Sequence, residues 1–144
     1  MDNNTCEKKM KHLEMVEGII ERLGNNSFQL KGWAVTLVSI IGALSAQGSD
    51  RRFFLLSFLP LVAFWLLDSF YLQKERKYRT LYKSISAKEE NNIDFNMDTQ
   101  NIIMNGEEAS RICYFKCLFS ITEVLFYGVI AVAVLTLAFI LKVF

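Results

Sequence analysis

Between Leu118 and Leu141 the only formally charged residue is Glu123, in a run that reads LFSITEVLFYGVIAVAVLTLAFILKVF to Phe144. A helix rises about 1.5 Å per residue, so about 20 apolar residues cross the hydrocarbon core of a bilayer. A helix of a soluble domain is apolar on one stripe and rarely on all sides. This run therefore predicts a transmembrane helix over 117–144. The other elements have to be arranged around a membrane.

Two more spans are expected. In 27–47, Lys31 can snorkel to the headgroups and Trp33 suits the interface, while the strictly apolar portion begins only at Gly32. Gly32, Ser39 and Ala43 lie on one helical face, and Ser39 and Ala43 form a small-xxx-small pair that lets another helix approach closely. Gly128 and Ala131 offer a similar small face on the last span. The span at 53–72 reads FFLLSFLPLVAFWLLDSFYL; Pro60 lacks a backbone donor and crowds the carbonyl of Leu56, which predicts a kink.

The remaining segments are amphipathic or polar. Met10, Leu13, Val16, Ile19, Ile20 and Leu23 recur at helical spacing, predicting an amphipathic helix within 1–26 that lies on the membrane surface or packs on a partner helix in an oligomer. Gly24, Asn25 and Asn26 are expected to break it, with Ser27 as N-cap of the first span. His12 beside the stripe reads as an ordinary interfacial histidine. Segment 73–116 begins as a basic helical extension of the second span. It then turns acidic and amide-rich from Glu89 to Asn105, which predicts a loop or a poorly ordered, partly helical segment. A helix from Glu107 is expected to run on into the last span.

Topology follows from the basic residues. Lys8, Lys9, Lys11, Arg22 and Lys31 precede the first span. Lys74, Arg76, Lys77, Arg79, Lys83, Lys88, Arg111 and Lys116 lie between the second and third, against only Arg51 and Arg52 between the first and second. The positive-inside bias puts the N-terminus and 73–116 in the cytoplasm and the C-terminus outside. The first thirty residues carry no signal-peptide pattern. The fold class expected is an all-α membrane protein of three transmembrane helices, an N-terminal amphipathic helix and a cytoplasmic helical extension, assembled as a homo-oligomer.

Composition excludes much chemistry. Net charge is +1 and there is one histidine. No nucleophile constellation, phosphate-binding glycine loop or metal cluster is recognisable, so no catalytic residue, cofactor or metal is expected. Cys6, Cys113 and Cys117 read as reduced thiols. The site candidates are Asp68 and Glu123, acids about 6–8 Å below the same membrane surface. They reach the interface, pair with Lys31, Lys74 or Lys116, or repeat around an oligomer axis as rings that favour cations. Lys74, Arg76, Lys77, Arg79 and Lys83, with Tyr78 and Tyr82 for stacking, are candidates to hold anionic lipid or a nucleotide.

NNSFQLKGWAVTLVSIIGALSA (25–46), preceded by HLEMVEGIIERL (12–23), and FWLLDSFYLQKERKYRTLY (64–82) resemble a family of small bacterial inner-membrane proteins associated with anti-phage defence genes. The Hailong-type systems, a nucleotidyltransferase paired with a membrane effector, are the nearest association. The resemblance implies an effector that assembles in the inner membrane and makes it leaky under control of a nucleotide or oligonucleotide made by the partner enzyme. It covers about half the chain and nothing between Ser84 and Lys116. The residues alone leave two other readings open: a non-conducting anchor that recruits a cytosolic partner, and a small transporter that uses Glu123.

Overall fold

The computed structural model describes residues 3–46, 55–89, 93–99 and 106–140. Helix α1 spans Asn3–Ala46, α2 Phe58–Ala87, α3 Gly106–Ile112, α4 Tyr114–Leu118 and α5 Ile121–Ile140. No strand occurs among the described residues. Three helical stretches, Thr5–Ser45, Leu55–Ala87 and Ile121–Ile140, are long and apolar enough to cross a membrane.

The expected break at Gly24–Asn26 does not occur: α1 is one helix of 44 residues. Glycine in a helix interior costs about 1 kcal/mol against alanine. Packing on α2 overrides that cost on both sides of the glycine. Below it, toward the N-terminus, Val16 packs with Leu81 and Ile85, flanked by Leu13, Ile20, Tyr78 and Tyr82. Above it, Ala34 and Val38 pack with Leu61. The stripe of 10–23 thus covers α2 of the same chain, and Ser27 is mid-helix rather than a cap. A Cβ at Gly24 would meet nothing within 4 Å. Gly24→Ala is therefore expected to stabilise the purified protein by about 1 kcal/mol, read as a raised unfolding midpoint.

Pro60 is also placed differently. A 3₁₀ turn over 55–57 leads into α2, and Pro60 is the third residue of that helix. In the first turn the missing N–H belongs to a group of donors without intrahelical partners anyway. The expected mid-span kink becomes a tolerated proline at a helix start.

The helix expected to run unbroken from Glu107 is interrupted twice. Cys113 is extended (φ −57°, ψ 131°) and Phe119 ends α4. Side chains of α2 take up the backbone acceptors freed there. Gln73 Nε2 donates to the Ile112 carbonyl at 3.0 Å, Arg76 Nη1 to the Arg111 carbonyl at 2.8 Å, and Trp65 Nε1 to the Leu118 carbonyl at 3.1 Å. Backbone carbonyls freed by a helix break need such partners.

Helix α2 is the centre of the bundle, running antiparallel to α1 and packing also on α3, α4 and α5. One core joins Ala34, Val38, Leu61, Tyr127, Val134 and Ala138 inside the spans. The second, of Val16, Leu81 and Ile85, lies in a stalk made by the first half of α1 and the second half of α2. At 1.5 Å per residue, Lys9 stands about 33 Å from Lys31 along α1. Lys9 Nζ closes the stalk end by donating to the Ser86 and Lys88 carbonyls, at 2.9 and 2.8 Å.

Where it is described, the acidic segment after α2 is non-helical, in keeping with the loop reading rather than the partly helical one. Ile93 and Met97 pack against the stalk core. Asp94 accepts from the Asn96 backbone N–H, which with nearby Lys88 holds its carboxyl below the usual range. Phe95 adopts φ 51° and packs its ring against His12 in a tilted arrangement, centroids 5.3 Å apart and planes at 35°. His12 is buried, with both ring nitrogens unpartnered, rather than interfacial.

Candidate functional site

Each of the three spans places one ionisable side chain at a common level. Lys31 of α1 donates to Asp68 Oδ2 of α2 and, at 3.1 Å, to Glu123 Oε1 of α5. The register of the α1–α2 hairpin puts Lys31 beside Asp68, and Glu123 sits in the first turn of α5. Asp68 is 0% and Glu123 2% exposed. Both acids therefore face Lys31 inside the bundle, and neither lies on the outer surface of the single chain. Lys74 and Lys116 are engaged elsewhere: Lys74 Nζ lies 5.4 Å from the Phe70 ring centroid, and Lys116 Nζ donates to Ser110 Oγ.

Two hydroxyls complete the cluster. Ser27 Oγ donates to Asp68 Oδ1, and Tyr127 Oη donates to Asp68 Oδ2 at 3.1 Å. Neither was expected from sequence, although each stands four residues from a cluster member, Ser27 before Lys31 and Tyr127 after Glu123, on the same helical face. The donors are shared unevenly. Asp68 accepts from Lys31, Ser27 and Tyr127, whereas Glu123 accepts from Lys31 alone and its Oε2 is buried without a partner.

A second site lies farther along α2, toward its C-terminal end. Arg76, Arg79, Thr80 and Lys83 of α2 and Glu108, Arg111 and Ile112 of α3 line a cavity of about 470 Å³. The basic candidates thereby divide. Arg76, Arg79 and Lys83 converge, and Arg111 joins them, a residue that had weighed only in the topology argument. Lys74 and Lys77 lie outside the cavity, Tyr78 packs against the stalk core, and Tyr82 lines a neighbouring hollow with Glu17, Ile20, Arg79 and Lys83. Arg76 also links the cavity to the last span: Nη2 donates to Ser120 Oγ at 3.0 Å, and Nη1 lies 3.6 Å from Cys117 Sγ. The three cysteines are unpaired thiols.

The small-residue faces have different surroundings. Ala131 packs against the core of the spans. Gly32 and Gly128 stand in open space. Ser39, Gly42 and Ala43 line a groove of about 560 Å³ between α1 and α5, opposite Val129, Ala133 and Leu137.

No protein-family model matches this chain, nor does any curated protein or solved structure.

Proposed function

We propose that the chain is the membrane effector of a bacterial anti-phage system, an oligomeric ion-conducting assembly of the inner membrane controlled by a nucleotide signal. The observation that carries this reading is Arg76. Its guanidinium lines the cytoplasmic basic cavity and at the same time holds the Arg111 carbonyl and the Ser120 hydroxyl, one residue before α5. An anion drawn into the cavity competes for those donors, because charge-assisted bonds to phosphate oxygens are stronger than bonds to neutral acceptors. Occupancy of the cavity is thus transmitted to the start of the last span. The stalk adds a lever, since α1 and α2 each run unbroken from the stalk into the candidate spans.

In this reading the N-terminus and 73–116 are cytoplasmic and the C-terminus faces outward. Subunits meet through the groove between α1 and α5, where Ser39, Gly42 and Ala43 permit close approach. Asp68 and Glu123 act as an internal lock on the three spans rather than as lumen rings.

Planar-bilayer recording of the purified assembly tests this. Arg76→Gln removes the charged donor shared by the cavity and α5. Hydrogen bonds to a charged group contribute about 1.5–3 kcal/mol, so the response to nucleotide is expected to fall by more than about tenfold. A wild-type assembly that conducts under no nucleotide condition would favour the anchor reading instead.

A further inference from the structure

The cluster of Lys31, Asp68 and Glu123 holds two carboxyls and one ammonium. If both acids were ionised it would carry one uncompensated negative charge, nearly sealed from water. The groups packed around Glu123 do not supply the missing charge. From α1 it meets Lys31, which is shared with Asp68; from α2, Asp68 itself; from α5, Tyr127, a neutral donor aimed at Asp68. On the cytoplasmic side lies the Cys117 thiol, and beyond it Arg76, committed to Cys117, Ser120 and the Arg111 carbonyl. The positive end of the α5 dipole, worth about half a charge, offsets the excess in part. A buried ion without a full complement of partners costs several kcal/mol.

The hydrogen bonds say which acid relieves this. Asp68 accepts from three donors, the pattern of an ionised carboxylate. Glu123 has one donor, and its buried Oε2 has none. We infer that Glu123 is a proton-binding site within the membrane, occupied by one exchangeable proton in the resting bundle, beside an ionised Asp68–Lys31 pair. Uptake transfers a proton from water at the cytoplasmic end of the span to the Glu123 carboxylate, making a neutral acid. Release restores the unbalanced charge between α5 and α2 and loosens the docking of α5. The site needs neither conduction nor a nucleotide, so it stands or falls apart from the effector reading.

Infrared spectroscopy of the wild-type protein in lipid decides it. A carbonyl band of a protonated carboxylic acid is expected at neutral pH, shifting in heavy water and disappearing reversibly as the pH is raised. Glu123→Gln, the neutral isostere of the occupied site, should keep the helical spectrum and lose the band. Should that variant fail to assemble, heavy-carbon labelling of glutamate carboxyls in the wild type assigns the band, which must then shift. Absence of the band at neutral pH, its survival in Glu123→Gln, or its indifference to glutamate labelling would each overturn the inference.

Discussion

Replacing Lys31 with methionine is expected to cost the three-span bundle about 3–5 kcal/mol, the usual penalty for removing one member of a buried ionic group. Methionine keeps much of the apolar stem, so the loss isolates the ammonium. Without it Asp68 retains only the Ser27 and Tyr127 hydroxyls, and Glu123 loses its one donor. No cation within the spans replaces it among the described contacts. The measurement is reversible unfolding in mixed detergent or in lipid, followed by helical content. Acidification should recover much of the loss, because a proton taken up by Asp68 removes the stranded charge. Adding Asp68→Asn to Lys31→Met should recover it in the same way at neutral pH, so that double variant is expected to be less damaged than the sum of the singles, whereas Glu123→Gln, which replaces an acid already neutral, should recover little. A Lys31→Met protein as stable as wild type would mean that the cluster does not hold the spans together.

The apolar runs were legible because the bilayer imposes a length and forbids charge over it. Lys31, Asp68 and Glu123 were legible as exceptions to that rule, and pairing with Lys31 was one of the partners open to both acids. What sequence left undecided was whether they meet within one chain or around an oligomer axis. That depends on the register of α1 against α2, which is set by Val16 on Ile85 at one end and Val38 near Leu61 at the other. The misplaced boundaries have a common cause. Gly24, Pro60 and the helix after Glu107 were judged by local propensity, whereas α2 supplies the packing and the donors that decide each of them. Gln73 and Trp65 carry no signal in sequence and Arg76 reads only as an anion-binding candidate; the fold brings all three donors to the open carbonyls of α3 and α4. Arg111 entered the basic cavity by the same route, from a stretch with no recognisable pattern.

Truncating Ile85 to alanine is expected to cost about 2–5 kcal/mol, although the residue lies far from either candidate site. Ile85 is 1% exposed at the heart of the stalk, between Val16 and Leu81. With the stalk in water, as the proposed topology has it, the substitution loses both the transfer of the side chain out of water and the contacts around the cavity it leaves. Leu61→Ala, equally buried but inside the spans, provides the contrast. There the alternative to protein is lipid, as apolar as leucine, so the transfer contribution vanishes and only packing is lost. Ile85→Ala should therefore melt the stalk selectively, seen as faster amide exchange in 9–23 and 78–87 while the spans stay protected, and Leu61→Ala should disturb neither to that extent. In the proposed function the difference also bears on gating. A lever transmits force only while its two helices remain zipped, so an assembly with Ile85→Ala should retain its spans in the membrane yet respond less to ligand in the basic cavity. If the two truncations proved equally costly, the stalk would have to lie in an apolar environment as well, and the placing of the first half of α1 in the cytoplasm would be untenable.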